Sequence, residues 1–333
     1  MELLLNKQIN LTDWNSFVLN NKFNSPFQTP EFYSLYNSLV NYSAEVFAIK
    51  ENAKLISLCV VTLQREKGIK SYFSKRAIIY GGPLIENNRN DALNILLKSI
   101  YKALKKKVIY LETRNFNDYK EYQLNFETNG WKYVPYLNYK IQLTGKTMND
   151  ILSEMKYNRK REIKLSQKLE TIYRIAVSQE EVIELYSILS NLYKTRVKLP
   201  LPPLNYFISL FESSIGKVFI VLHNSKIIGG SFCYYLNGSS IYTLYYCGVR
   251  NYHKKIFPTH LSILAAIDFG IDKKLQTLDL MGAGKLGEEY GVRNYKAEFG
   301  GELVEHGRFI KVLNNPLFSI GKIGLKFKKL IGI

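Results

Sequence analysis

The side chains that could do chemistry cluster toward the C-terminal end of the chain. An apolar run, residues 275–281, leads into a glycine-rich turn at 282–284. The pair Tyr295 and Lys296 follows, just before a second glycine turn at 300–301. Because glycine has no Cβ, such a turn lets backbone N–H groups come close to a ligand. Lys296 would add a flexible positive charge beside that loop.

A nucleotide-binding P-loop does not explain this turn. That motif needs a glycine six residues before its lysine and a serine or threonine directly after it. Around Lys285 those two positions hold Asp279 and Leu286. The glycine-rich loop is therefore of another kind, and taken alone it fits a structural turn as well as a ligand site.

The elements that must position these residues occur twice in the chain. Residues 46–56 and 218–228 align without a gap, and each has a strand, a polar turn and a second strand, which predicts a β-hairpin. A strand, a helix and a strand then follow at residues 77–80, 88–106 and 108–112, and again at 241–249, 258–273 and 275–281. Helices that alternate with strands after a hairpin predict a mixed sheet flanked by helices in each half, an α/β (α+β) fold.

Several motifs along the chain resemble those of one known family. MGAGK followed by YGVRNYKAEFGGE near the C-terminus, SPFQTPEFYSLY at residues 25–36, IIYGGPLI at 78–85 and YNRKREIKLSQK at 157–168 stand in the expected order. Together they resemble the Fem family, the peptidoglycan bridge aminoacyltransferases, and its FemAB-like relatives. The resemblance implies two tandem GNAT-like domains, in agreement with the internal repeat. We expect the first domain at residues 1–145 and the second at 146–333, and residues 305–333 could pack back on the first.

The resemblance places Lys296 at the catalytic lysine of the family signature. A cation there can stabilise the oxyanion that forms when an amine attacks an ester or thioester carbonyl, or it can neutralise a donor phosphate. On this basis we expect Lys296→Met to fold normally and lose most activity. Tyr295 would pack against or orient the site, and the family often has phenylalanine there. The alternatives are an exposed lysine and a core aromatic.

The candidate substrate-binding residues are Arg196, Lys285, Arg293 and Tyr246. In Fem proteins an arginine in a segment comparable to that of Arg196 holds a phosphate of the nucleotide-linked acceptor, and arginine can grip phosphate with two parallel hydrogen bonds. A surface arginine before a proline-rich loop is the alternative.

Basic residues supply the candidate contacts to the donor or another polyanion: Lys156, Arg159, Lys160, Lys254 and Lys255. Four-residue spacing from Lys156 to Lys168 puts lysines on one helix face. This face could bind a tRNA, or it could simply be exposed to solvent. The loop that contains Lys254 and Lys255, residues 250–258, has no glycine and ends in proline. This argues against the pyrophosphate site of ordinary acetyl-CoA enzymes.

Composition narrows the partners without choosing one. The formal net charge of +18 favours phosphate-bearing partners or an anionic membrane surface. The three cysteines have no paired spacing and predict buried free thiols, and the four scattered histidines predict no metal site and no metal cofactor. No apolar run is long enough to span a membrane.

The sequence therefore predicts a cytoplasmic, monomeric transferase that makes an amide on a cell-envelope precursor. The resemblance implies aminoacyl-tRNA as donor and a nucleotide- or lipid-linked muropeptide as acceptor. One alternative is an acyl-CoA-dependent N-acyltransferase acting on an amino sugar or polysaccharide precursor. Another is a non-catalytic RNA- or membrane-binding scaffold. Residues 316–333, with large apolar side chains and four lysines, would either hold the protein peripherally at the inner membrane surface or dock on the first domain.

Overall fold

A computed structural model describes residues 1–66 and 71–321. In these ranges the chain forms two compact units, which are residues 1–136 together with the chain from 305 onward, and residues 137–304. The strands are β1 Glu2–Leu5, β2 Tyr42–Glu51, β3 Lys54–Gln64, β4 Arg76–Gly81, β5 Leu84–Ile85, β6 Tyr110–Asn115, β7 Lys132–Val134, β8 Leu137–Gln142, β9 Ile172–Ile175, β10 Gly216–His223, β11 Lys226–Tyr235, β12 Ser240–Gly248, β13 Thr277–Gly282, β14 Glu302–Glu305 and β15 Arg308–Val312. The helices are α1 Leu11–Asn20, α2 Pro30–Asn37, α3 Ser71–Ser74, α4 Asn90–Leu104, α5 Gln123–Thr128, α6 Met148–Glu154, α7 Tyr157–Lys168, α8 Gln179–Leu192, α9 Leu204–Glu212, α10 Pro258–Asp272 and α11 Gly291–Ala297.

The first unit is built on a mixed sheet with the strand order β1-β2-β3-β4-β6-β15-β7, and β5 pairs with β3 at its side. The strands β4 and β6 run parallel because α4 carries the chain back between them. Their pairing is continuous over six residues, from Arg76 opposite Tyr110 to Gly81 opposite Asn115.

The second unit repeats this plan in a sheet with the order β14-β8-β13-β12-β11-β10-β9. The hairpin β10–β11 corresponds to β2–β3, and the parallel pair β12–β13, joined by α10, corresponds to β4–β6. Helix α10 is apolar on nearly all sides, so it is buried against β11 and β12. The predicted repeat and the predicted α/β fold with two mixed sheets are thus confirmed.

The boundary between the units differs from the expected position near residue 145. The segment just before that position, Leu137–Gln142, forms β8, and it pairs with β13 in the second sheet, with Gln142 opposite Thr277. The units therefore divide between Tyr136 and Leu137. The residue pattern of a strand does not show which sheet the strand joins. The partner of β8 is β13, which lies about 135 residues further along the chain.

The chain returns to the first unit after β14. Strand β15 inserts between β6 and β7, and Phe309 stacks on Phe126 with ring centroids 4.0 Å apart. Residues 315–321 are helical, and Phe318 packs edge-on against Tyr110 at 5.2 Å. The chain from residue 305 thus belongs to the first unit, with contacts in the described residues as far as 321. The rest of the C-terminal segment considered for membrane binding, residues 322–333, lies outside the described residues.

The three cysteines, Cys59, Cys233 and Cys247, are buried and unpaired, as predicted. No helix in the described ranges is both long enough and apolar enough to cross a membrane. Within the same ranges, no three His, Cys, Asp or Glu side chains come together in a set that could hold a metal ion.

Candidate active site

The parallel strands of the second unit separate where those of the first unit stay paired. Strand β12 pairs with β13 only over three residues, from Ser240 opposite Thr277 to Tyr242 opposite Asp279. Beyond that point β12 continues to Gly248 and β13 continues to Gly282. Strand ends that separate present backbone groups to a ligand or to side chains from elsewhere, so the candidate site lies at this opening.

The ammonium of Lys296 lies at the end of β13. Lys296 is on α11 and only 4% exposed. Its Nζ donates to the carbonyl oxygens of Leu280 at 2.5 Å, Gly282 at 2.8 Å and Met281 at 3.3 Å. An ammonium has three N–H donors, and these three carbonyls take them. Lys296 is thus a cap on the strand end, with its longest bond to Met281.

The local backbone explains why those carbonyls are available. The register of β13 against β8 shifts between Asp279 and Gly282, and Met281 adopts a left-handed conformation with φ of 62°. This irregularity takes the segment out of the regular ladder. The carboxylate of Asp279 holds the bend by accepting the N–H of Met281 at 2.6 Å.

Burial sets the electrostatics of this pair. It lowers the pKa of Lys296 to about 8, while the charge of Asp279 acts in the opposite direction. Burial also raises the pKa of Asp279, against the lowering effects of Lys140, Lys296 and its hydrogen bonds. At neutral pH Lys296 is therefore mainly charged, and the positive charge sits at the strand opening.

The neighbouring residue, Tyr295, faces the other strand. Its ring stacks on Tyr246 of β12, with centroids 6.0 Å apart and an interplanar angle of 14°. Tyr246 lies beyond Tyr242, the last residue of β12 that pairs with β13. Consecutive residues of α11 thus contact the two separating strands, Tyr295 on the β12 side and Lys296 on the β13 side. The structure brings together three of the predicted residues: Lys296, Tyr295 and Tyr246.

The hydroxyl of Tyr295 leads into a hydrogen-bonded chain. It lies 3.1 Å from Nδ1 of His260 on α10, and Nε2 of His260 lies 3.0 Å from Oε2 of Glu162 on α7. Neither His260 nor Glu162 was predicted from the sequence as a site residue. They stand 98 positions apart, so no spacing in the sequence could have indicated the contact.

Arg159 has a different location from the one expected. It was predicted to contact a polyanion, but it is 2% exposed and lies on the inner row of α7 with Ile163 and Ser166. Its guanidinium donates to Glu298 at 2.7 Å and lies 4.4 Å from the centroid of the Tyr295 ring. Arg159 therefore joins α7 to α11 and is not available on the surface.

Most of the other predicted basic residues are on the surface. Lys160 is partly buried, while the exposed ones are Lys156, Lys164, Lys168, Arg196, Lys254, Lys255 and Lys285. Arg196 lies on the π-helical turn Tyr193–Val197, whose Tyr193 packs against Tyr245 of β12. Lys285 pairs with Glu288 at 3.6 Å.

Arg293, expected to bind substrate, instead closes the glycine-rich turn. Its Nε donates to the carbonyl of Ala283 at 2.8 Å, and its Nη2 donates to the carbonyl of Lys285. Gly284 in this turn has φ of 83°, which glycine adopts without strain. These contacts of Arg293 shape the loop that follows β13.

The start of α10 has few free backbone donors. Pro258, its first residue, has no N–H. The N–H of the preceding residue, Phe257, donates to Oγ of Ser166 on α7 at 2.9 Å. Two of the groups that a helix start can offer to a pyrophosphate are therefore missing or engaged.

Comparison with solved structures places this architecture. No protein-family model matches the chain, and no curated protein matches it in sequence. FemX superposes with a TM-score of 0.75 at 14% identity, over 96% of this chain and 99% of FemX. The chain has the Fem-type tandem GNAT fold. Two further structures also superpose over nearly the whole chain, with lower TM-scores. The C-terminal domain assigned to a lysylphosphatidylglycerol synthetase of Agrobacterium fabrum gives a TM-score of 0.61 at 9% identity, covering 96% of each chain. A tandem GNAT protein from the clavulanic acid biosynthesis pathway gives 0.56 at 8% identity, covering 94% of this chain and 99% of that one.

Proposed function

We propose that this chain is an aminoacyl- or acyltransferase that forms an amide on a cell-envelope precursor, from aminoacyl-tRNA to a muropeptide-type acceptor. The observation that carries the proposal is the position of Lys296 and Tyr295, which contact both separating strands of the second unit. The Fem-type fold and the motif resemblance support the same reaction class. One of the superposing structures is a domain assigned to a lysylphosphatidylglycerol synthetase, and another is a tandem GNAT protein.

The proposed reaction is a direct attack of the acceptor amine on the ester carbonyl of the donor. The C–N bond forms, the C–O bond to the tRNA ribose breaks, and the nitrogen loses a proton. Negative charge develops on the carbonyl oxygen in between. Lys296 holds a positive charge at the strand opening. Its Nζ would exchange the 3.3 Å hydrogen bond to Met281 for one to the oxyanion, and this bond would stabilise the developing negative charge.

Features of α7 and α10 favour tRNA over an acyl-CoA. The start of α10 lacks the N–H of Pro258, and Ser166 accepts the N–H of Phe257. Lysines are exposed on α7 and in the loop before α10, at Lys164, Lys168 and Lys254. Such a surface suits an extended polyanion, whose phosphates it would contact by charge.

A donor screen tests this function. The purified protein is incubated with a nucleotide-linked muropeptide and either a full set of charged tRNAs or a set of acyl-CoAs, and amide products are measured by mass spectrometry. We expect product with charged tRNA and none with acyl-CoA. Product with acyl-CoA alone would support the rival N-acyltransferase function. If neither donor gives a product, either with the muropeptide or when an amino sugar replaces it as acceptor, the result would support a non-catalytic scaffold.

A further inference from the structure

Three helices of the second unit each contribute one side chain to a linear chain of hydrogen bonds. Glu162 of α7 bonds to His260 of α10, and His260 bonds to Tyr295 of α11, at 3.0 and 3.1 Å. The chain ends at the ring that stacks on Tyr246 at the strand opening. The reaction described above assigns no role to Glu162 or His260.

The chemistry of the three groups fixes the direction of this chain. An ionised carboxylate only accepts hydrogen bonds, so Nε2 of His260 must carry the proton that is donated to Glu162. A neutral imidazole has one donor and one acceptor, so Nδ1 must accept. The hydroxyl of Tyr295 is therefore the donor to Nδ1, and its remaining lone pair can only accept.

The surroundings keep the imidazole of His260 neutral. Burial and then the charge of Arg159 lower the pKa of His260 to about 3, so the imidazole is neutral throughout the physiological range. Nη1 of Arg159 lies 3.9 Å from Oε2 of Glu162. Arg159 also pairs with Glu298 at 2.7 Å. The apolar contacts are Phe257, stacked on the imidazole at 5.2 Å, and Phe299.

We propose that Glu162 and His260 are positioning residues that turn the Tyr295 hydroxyl into a hydrogen-bond acceptor for an N–H of the attacking amine. This inference rests on the proposed amide-forming function and names the group in this chain that receives the amine. It gives the Tyr295 hydroxyl a role that phenylalanine, frequent at this position in the Fem family, could not fill.

The same chain of bonds provides a path for the proton that amide formation releases. As the C–N bond forms, the nitrogen proton moves to the oxygen of Tyr295, whose own proton moves to Nδ1 of His260. The proton on Nε2 moves to Glu162, which is partly exposed at 22% of its side chain and releases it to solvent. The expelled ribose oxygen takes a proton from solvent. Each group gives up one proton as it gains one, so no charged imidazole forms.

A double-mutant cycle separates this role from a purely structural one. Tyr295→Phe keeps the ring that contacts Tyr246 and Arg159 and removes only the hydroxyl. We expect Tyr295→Phe and His260→Asn each to lower kcat by about a hundredfold with a smaller change in KM. In the Tyr295→Phe background, His260→Asn should have little further effect, because it acts through that hydroxyl. If the wild type forms amide but the kcat losses of the two single variants multiply in the double variant, this inference is overturned and the proposed function is not.

A second measurement needs no substrate. Nitrogen NMR of the wild-type imidazoles, with the His260 signals assigned by their loss in His260→Asn, reports which ring nitrogen carries the proton. We expect a protonated Nε2 and a bare Nδ1, and a shift of the Nδ1 signal in Tyr295→Phe. A protonated Nδ1 would overturn the inference, whatever the reaction. If the donor screen gives no amide, the role toward an amine falls together with the proposed function.

Discussion

The Nζ atom of Lys296 lies 2.5 Å from the carbonyl oxygen of Leu280, at the point where β13 has left β12. The lysine that we propose as the catalytic cation is therefore also a structural cap. Its three hydrogen bonds stabilise the strand end that forms the opening. Substitutions at this position should affect both stability and activity, and the two effects can be measured separately.

We predict that Lys296→Met lowers the free energy of unfolding by about 1–3 kcal/mol, because buried carbonyls at the end of β13 lose their donor. Urea unfolding of the variant checks the value. Lys226→Met is the control, since Lys226 is an exposed residue at the start of β11 and should change stability little. Equal midpoints for wild type and Lys296→Met would show that the cap has no structural role.

The pH dependence of transfer distinguishes a charged Lys296 from a neutral base. Its pKa of about 8 means that the positive charge is lost as pH rises through that value. We predict a rate that falls above pH 8 in the wild type, and a residual rate in Lys296→Met without this transition. A rate that rises through pH 8 would instead indicate that Lys296 acts as a general base.

Stability should change with pH in the opposite direction. The pKa of Lys296 is lower in the folded state than the ordinary 10.5, so between about pH 8 and 10.5 the unfolded chain binds more protons. The penalty for burying the charge is present below the folded pKa and is relieved as pH rises. We predict that the wild type gains stability relative to Lys296→Met across this window, as measured by urea unfolding at several pH values. A constant difference would contradict the burial of a titrating Lys296.

The glycine turn after α11 should tolerate no side chain. Gly301 has φ of 84°, and a Cβ there would lie 2.2 Å from the carbonyl oxygen of Lys140. Gly287 also has positive φ, at 78°, but a Cβ there would meet nothing within 4 Å. Both alanine variants should lose about 1–2 kcal/mol from the backbone conformation alone. We predict a clearly larger loss for Gly301→Ala in thermal or urea unfolding, and equal losses would contradict the close approach.

Salt dependence tests the role of the lysines on α7 and directly before it. We predict that replacing Lys156, Lys160, Lys164 and Lys168 with alanine weakens tRNA binding and flattens its dependence on salt, because each lost phosphate contact lowers the slope by up to about 0.9. The matched control replaces four exposed lysines on and after α4: Lys98, Lys102, Lys105 and Lys106. The same change in slope from both sets would mean that binding follows net charge and not α7.

Much of the fold follows from patterns that can be read locally. The repeated hairpin, helix and strand predicted β10–β11, α10 and β13, and the glycine turns located Lys296 between them. The buried position of Arg159, which was predicted to contact a polyanion, could have been inferred in part from the sequence. It precedes Ile163 by four residues, so both belong to the inner row of α7.

The remaining features depend on contacts that sequence spacing does not show. The chain alone did not predict that Lys296 would be buried, because its partners are backbone carbonyls that a register shift in β13 makes available. The bonds of His260 to Glu162 and Tyr295 require three helices to pack together. The pairing of β8 with β13 likewise arises only when the second sheet assembles.

The most direct test of the central claim is a single-turnover reaction that compares wild type, Lys296→Met and Lys226→Met. Each protein, shown to be folded, is mixed in excess with charged tRNA and the muropeptide acceptor, and the amide is followed by mass spectrometry at pH 7. We predict that Lys296→Met is slower than wild type by on the order of a hundredfold or more, and that Lys226→Met matches wild type. Wild-type rates in folded Lys296→Met would contradict the assignment of Lys296 to the chemistry.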